Sequence, residues 1–191
     1  MDALPNWFAN DGLPNFEKHL LSYKDKPVRM LQVGAYTGDA SVWLLENVLT
    51  HPESVLVDVD TWEGSDEPSH HQMQWNAVEH FYDVKTQRGR HDRKIVKVKG
   101  TSDWFFKNNL QQYDFIYIDG DHTAYGVIKD AVAAFECLKV GGILGFDDYL
   151  WSAGLGRINE PGMAIDAFWS IYSEKVSIIT DGYQRWFKKL G

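Results

Sequence analysis

Five times along this chain a short β-forming run stops at a polar or glycine-rich corner and a helical pattern takes over, a rhythm that confines it to an α/β sheet wound through helices. The runs at 28–33, 55–60, 94–99, 114–118 and 143–146 are rich in Val, Ile, Leu, Phe and Tyr and too short for helices. Helical spacing follows at Val42, Leu45 and Leu49, then around 73–82, then at Trp104, Phe105 and Leu110 behind a Ser102 or Asp103 cap. It returns at Val127, Ala131, Ala134 and Leu138 across 123–139, stopped by Gly141-Gly142, and again over 161–172. Strands joined through helices run parallel. The end differs: 176–180, Asp181-Gly182 and 183–188 make a hairpin signal, because Asp-Gly favours the turns that match strand twist. The expected fold is a doubly wound, mainly parallel seven-stranded sheet with an antiparallel C-terminal hairpin strand and helices on both faces.

No repeat or Ser/Pro/Gly-rich linker divides residues 1–191, so one domain is expected, with 1–27 as an N-terminal cap segment and 61–93 as a long crossover and candidate substrate lid. The 27 acidic against 19 basic side chains, net −8, argue against a protein that coats nucleic acid or an anionic membrane, since both demand excess Lys and Arg. The lone cysteine, Cys137, permits no intramolecular disulfide, and its place in the apolar phase of a helix reads as a packed structural thiol. The chain starts without a basic, apolar leader, and no stretch reaches the roughly 18 apolar residues of a membrane span. A reducing, cytoplasmic setting is expected.

Ligands of an open α/β sheet sit beyond the carboxyl ends of its strands. The acids of this chain gather there: Asp58 and Asp60 after the second run, Asp119 and Asp121 after the fourth, Asp147 and Asp148 after the fifth. Gly34 and Gly38, between the first strand and its helix, allow a tight turn and close backbone approach to a ligand. Neither G-x-G-x-x-G nor a Gly-Lys-Ser/Thr phosphate loop is present, and a plain turn satisfies the same pattern. Asp60 follows Gly38 by 22 residues, close to the spacing at which nucleotide folds set an acid on the ribose hydroxyls. Asp58 shares its sheet face by alternation, which leaves Asp60 as first choice and Asp58 as second.

With these pieces in place, the chain resembles the Rossmann-like (class I) S-adenosylmethionine-dependent methyltransferases, from Leu31-Gln32-Val33-Gly34-Ala35-Tyr36-Thr37-Gly38-Asp39 to the final hairpin. Asp60-Thr61-Trp62-Glu63-Gly64-Ser65, Ile118-Asp119-Gly120-Asp121-His122 and Phe146-Asp147-Asp148-Tyr149-Leu150-Trp151 are similar to its small-molecule O-methyltransferase branch. That branch holds the metal-dependent catechol and caffeoyl-coenzyme A enzymes and the macrolide-sugar enzymes. The resemblance implies that Gly34, Ala35 and Gly38 line the methionine and ribose side of S-adenosylmethionine and that Asp60 holds the ribose. One of Gly100, Thr101 and Ser102, with Ser102 taken as the site residue, would meet adenine; Asp119 and Asp121 would face the methionine amine and the reaction centre. It implies a divalent cation on Asp119, Asp147 and Asp148. Strands about 4.8 Å apart crowd such carboxylates, and an all-oxygen site suits Mg²⁺, Mn²⁺ or Ca²⁺. A turn-capping role for Asp147 or Asp148 is the alternative.

His122 stands where the catechol-type enzymes carry a lysine. Histidine titrates near neutral pH and can take the proton of an acceptor hydroxyl, although a cap on the following helix would also use it. Trp62, Trp75 and Trp151 fall near the expected mouth, and Trp62 and Trp151 are assigned to stacking on the acceptor. Trp43, Trp104 and Trp169 fit helix faces and are expected in the core, while His70 and His71 read as solvated. Lys85, Arg88, Arg90, Arg93, Lys94, Lys97 and Lys99 form a basic run that reads as a solvated face. The expected activity is O-methylation of a small-molecule hydroxyl with divalent-metal help. The alternatives are methylation of nucleic acid or protein, docked on that basic run, or a non-catalytic cofactor-binding module. Exposed aromatics leave a homodimer open.

Overall fold

A computed structural model describes residues 4–65, 70–152, 154 and 156–191. Seven strands, β1 (Arg29–Val33), β2 (Val55–Asp60), β3 (Ile95–Lys99), β4 (Tyr113–Ile118), β5 (Leu138–Phe146), β6 (Val176–Asp181) and β7 (Arg185–Lys189), form one sheet in the order β3-β2-β1-β4-β5-β7-β6. β1 to β5 run parallel, and β7 lies antiparallel between β5 and β6. The order reverses between β1 and β4, which opens the crevice where such sheets bind ligands. The expected fold is therefore the observed one.

Six α-helices cover the sheet: α1 (Leu13–Leu20), α2 (Asp39–Asn47), α3 (Trp75–His91), α4 (Ser102–Asn108), α5 (Ala124–Cys137) and α6 (Pro161–Tyr172). Alternation along the strands divides the core. Leu31, Val33, Val57, Val59, Ile116 and Ile118 pack with Ala131 and Phe168 of α5 and α6, while Met30, Leu56, Phe115 and Tyr117 pack with Phe16 of α1 and Leu44 of α2. Burial on both faces explains why these strands read as nearly continuous apolar runs. Phe16 lies edge-on to Phe115, Tyr117 and Trp186, with ring centroids 5.6, 5.0 and 5.4 Å apart, and so pins α1 to the sheet. A fully buried ring of this kind contributes roughly 2 kcal/mol.

Several boundaries differ from expectation. The crossover is mostly α3, which runs to His91 and buries Val78, Tyr82, Thr86 and Gly89, so the second half of 61–93 is packed helix. Within its first half, residues 66–69 lie outside the described residues. α5 ends at Cys137, ahead of Gly141-Gly142, and β5 begins at once. Its register against β4 shifts between Tyr113 and Phe115, and the glycines absorb the extra residues: Gly141 takes φ +82°, and a Cβ on Gly142 would come within 3.0 Å of the Asp114 carbonyl. Thr101, not Ser102 or Asp103, caps α4 by accepting from the Trp104 N–H. Trp104 itself is 56% exposed, because α4 is only two turns long and turns this residue outward. The C-terminal hairpin turns over 182–184 rather than on Asp-Gly alone, since Asp181 still pairs with Arg185. Among the described residues no helix is long and apolar enough to cross a membrane.

Candidate active site

Where β1 ends, Gly34 takes φ +85°, and a Cβ there would sit 1.8 Å from the Asp119 carbonyl oxygen. Only glycine lets the exits of β1 and β4 come this close. The chain then folds onto Asp60, whose Oδ2 accepts the N–H of Ala35 (2.8 Å) and Tyr36 (2.9 Å) and whose Oδ1 accepts that of Trp62 (2.7 Å). A carboxylate offers about four acceptor positions, so Asp60 both builds this loop and keeps room for another donor such as a ribose hydroxyl. Gly38, at φ +81°, starts α2. Asp58 is not a second ribose candidate. It is fully buried beneath the loop, accepts the Tyr82 hydroxyl at 2.7 Å, and burial pushes its carboxyl up to about 7.

Trp62 also leaves its expected place. It is 2% exposed, donates its indole N–H to the Tyr36 carbonyl at 2.9 Å, and carries the Lys97 ammonium 4.5 Å above its ring. The strained Tyr36 (φ +46°) and its satisfied partner turn the indole inward, away from any acceptor. Trp7 takes the more open position instead, its ring 4.7 Å from that of Tyr36, with Trp75 beside them. Trp151 remains at the mouth, half-buried, 4.9 Å from the His122 ring. Ser102 lies near the buried Asp130 on α5, whose carboxyl burial raises and Ser102 lowers in part. Asp121 is exposed and accepts the Thr123 N–H at 2.8 Å, fixing the first turn of α5. Thr123, not His122, caps that helix by accepting from Gly126.

The ends of β4 and β5 bring the remaining residues together. Single oxygens of Asp119 and Asp148 and a ring nitrogen of His122 lie within 4.8 Å of one another. His122 Nε2 stands 3.1 Å from Asp148 Oδ2 and 3.9 Å from Asp119 Oδ1. Asp147 adjoins them, but its Oδ1 accepts from Gln184 Nε2 at 2.6 Å. Burial raises Asp119 to about 6, with His122 opposing and the Asp148 charge adding to the rise. Asp147 is held well above the usual carboxylate range by burial and by the charges of Asp119 and Asp148. A cavity of about 10 Å³, room for one ion- or water-sized guest, is lined here by Asp119, His122, Asp147 and Asp148. Crowded acids, one imidazole and a small void are a donor set that fits a hard or borderline divalent cation.

Sequence reasoning passes over three further contributors: Tyr117, Tyr183 and Gln184. Tyr117 points its hydroxyl into the Gln184–Asp147 contact, accepting from Gln184 Nε2 at 2.8 Å, while Tyr183 donates to Asp148 Oδ1 at 2.8 Å. Strand alternation could have marked Tyr117, but the two hairpin residues depend on a register that the sequence leaves open. The basic run is partly neutralised: Lys85 pairs with Asp39 (2.8 Å), Lys97 with Glu79 and Asp83 (2.7 and 2.9 Å), and Lys99 with Glu79 (2.6 Å).

The profile of a family described as a methyltransferase domain matches residues 31–149. Among solved structures, an inferred rRNA methylase from Clostridium thermocellum superposes with a TM-score of 0.70 at 12% identity, over 95% of this chain and 97% of that one. TomG, the O-methyltransferase of tomaymycin synthesis from Streptomyces achromogenes, solved with S-adenosylmethionine, gives 0.66 at 12% identity over 93% and 80%. MycE of the mycinamycin pathway, solved with Mg, S-adenosylhomocysteine and mycinamycin VI, gives 0.59 at 14% identity over 98% of this chain and 50% of its own. The likenesses agree on the fold, and the profile spans the glycine loop and the acidic exits of β2, β4 and β5: the chain belongs to this family of class I methyltransferases.

Proposed function

We propose that the protein transfers a methyl group from S-adenosylmethionine to a hydroxyl of a small molecule, with a divalent cation held by Asp119 and Asp148 beside His122 and Asp147. The observation that carries this reading is the Asp119–His122–Asp148 cluster set across the β1–β4 crevice from the Asp60-bound loop. The cofactor supplies an activated methyl on a sulfonium, so the protein's part is alignment and proton removal. Asp60 and the Gly34–Gly38 loop hold the ribose and methionine portions, and the acids opposite favour the sulfonium's positive charge. A bound cation would lower the acceptor hydroxyl's pKa and orient it. His122 is placed to take the hydroxyl proton, and bound S-adenosylmethionine would give up its methyl carbon to that oxygen, its sulfur leaving as a neutral thioether.

TomG and MycE act in the biosynthesis of small molecules, and the ion pairs that engage Lys85, Lys97 and Lys99 disfavour a nucleic acid docked on that run. Calorimetry with S-adenosylmethionine and S-adenosylhomocysteine, with and without Mg²⁺ or Mn²⁺, tests the reading. Binding of both nucleosides, together with saturable cation binding, is expected. Failure to bind either nucleoside overturns it.

A further inference from the structure

We propose that the turn ahead of β7 is a clamp on the Asp147–Asp148 pair, with Tyr183 and Gln184 acting as positioning residues for the cation site; the inference rests on the function proposed above. Antiparallel pairing of Phe146 with Arg185 sets Gln184 beside Asp147 and Tyr183 beside Asp148 as the two chains leave the sheet. Consecutive residues of one strand exit thus grip consecutive acids of the other. The Leu150 N–H donates to the Tyr183 carbonyl at 3.2 Å and holds the two segments in this alignment. This explains why the hairpin turns over three residues: a two-residue Asp-Gly turn would draw both side chains into the β6–β7 ladder.

The hydrogen bonds of Gln184 are fully committed. Its Oε1 accepts from Trp186 Nε1 (3.0 Å) and Asn15 Nδ2 of α1 (2.9 Å), and its Nε2 donates to Asp147 Oδ1 (2.6 Å) and the Tyr117 hydroxyl (2.8 Å). The indole N–H is a donor only, so it fixes the oxygen end of the amide and with it the nitrogen end toward Asp147. At 1% exposure, no solvent can replace these partners. Tyr183 divides Asp148 in the same way: Oδ1 accepts the phenol at 2.8 Å, leaving Oδ2 toward His122 at 3.1 Å. Each acid therefore has Oδ1 held from the turn, and Asp148 turns its Oδ2 to the cluster. An amide and a phenol do this without positive charge, so the site's attraction for a cation is preserved, as a lysine or arginine in either place would not allow.

The test compares wild type with Tyr183→Phe and Gln184→Met by calorimetric titration of Mn²⁺ and Mg²⁺, and of S-adenosylhomocysteine in chelator. Tyr183 is 38% exposed, so its phenylalanine variant keeps the fold even if Gln184→Met weakens it. The clamp predicts cation binding about 10- to 100-fold weaker in each variant, the usual cost of losing a group that orients a ligand. Nucleoside affinity stays within about twofold, whereas a general structural defect would move both. Variants that bind the cation as tightly as wild type overturn the clamp and leave the proposed function standing. A wild type that binds S-adenosylhomocysteine but no cation removes the metal site, and the clamp with it.

Discussion

The acids at the exit of β2 and those at the exits of β4 and β5 are the same residue type in opposite circumstances. Asp60 spends its carboxylate on three backbone N–H groups, and Asp58 is sealed under Tyr82, so the negative charge there is consumed in building the glycine loop. Asp119, Asp147 and Asp148 share one imidazole, an amide and a phenol, and mutual repulsion adds to burial in raising Asp119 and Asp147. One end has finished its electrostatics internally; the other keeps a charge deficit that a cation can fill. The same alternation of strand and helix thus yields a scaffold on one side of the crevice and the proposed reaction centre on the other.

The sharpest way to break this contrast is to neutralise one acid on each side. Asp119→Asn should lower methyl transfer by about 100-fold or more, the scale of losing a group that holds or moves charge at the reaction centre. Stability should hold or rise, since one of several crowded like charges is removed. Turnover in chelator equal to that of wild type in Mg²⁺ would sink the role of Asp119. Asp60→Ala should behave in reverse: three N–H groups lose their acceptor, and unfolding by urea should show a loss of roughly 2–3 kcal/mol. Affinity for S-adenosylhomocysteine should fall about tenfold or more through loop and ribose together. Unchanged stability would mean that the loop holds itself.

Asp58 sharpens the comparison through pH. Its folded pKa of about 7 lies above that of the unfolded chain, so between those values the native state holds the extra proton. Stability is then fully present below the unfolded pKa and is lost as pH rises through about 7. Asp58→Asn removes this slope while Tyr82 keeps an acceptor. Relative to wild type, the variant should gain roughly 2 kcal/mol between about pH 5 and about pH 8, read from denaturation midpoints. A gain independent of pH would assign the effect to packing.

What the sequence discloses follows the range of the interactions concerned. Strand runs, helix faces and Asp60 are legible because periodicity and spacing are local. The extra length of α3 was masked by polar residues at its exposed positions, and β5 by Gly141-Gly142, whose role is a register shift against β4 rather than a helix stop. At the site, Asp119, Asp148 and His122 could be placed on strand exits, and the fold brings them together. Gln184 could not, because its meaning lies in partners 37 and 169 residues away, Asp147 and Asn15, and in a hairpin register that pairs Thr180 with Trp186 where an Asp-Gly turn would pair it with Tyr183.

Trp62 gives the smallest effect and the clearest correction. A tryptophan two residues beyond an acidic strand end suggests an acceptor platform, yet the Asp60 bond to its own N–H and the Tyr36 carbonyl draw the ring under the loop, where Lys97 covers it. Trp62→Phe keeps a ring in the pocket but forfeits the indole N–H bond and part of the cation–π attraction, together about 1–2 kcal/mol. The loss should appear as a lower melting temperature, with the Michaelis constant for the hydroxyl acceptor unchanged. Trp151, beside His122 at the mouth, should show the opposite pattern on substitution by leucine: a raised Michaelis constant and little change in melting. Equal responses from the two residues would erase the distinction between scaffold and reaction centre at their aromatic rim.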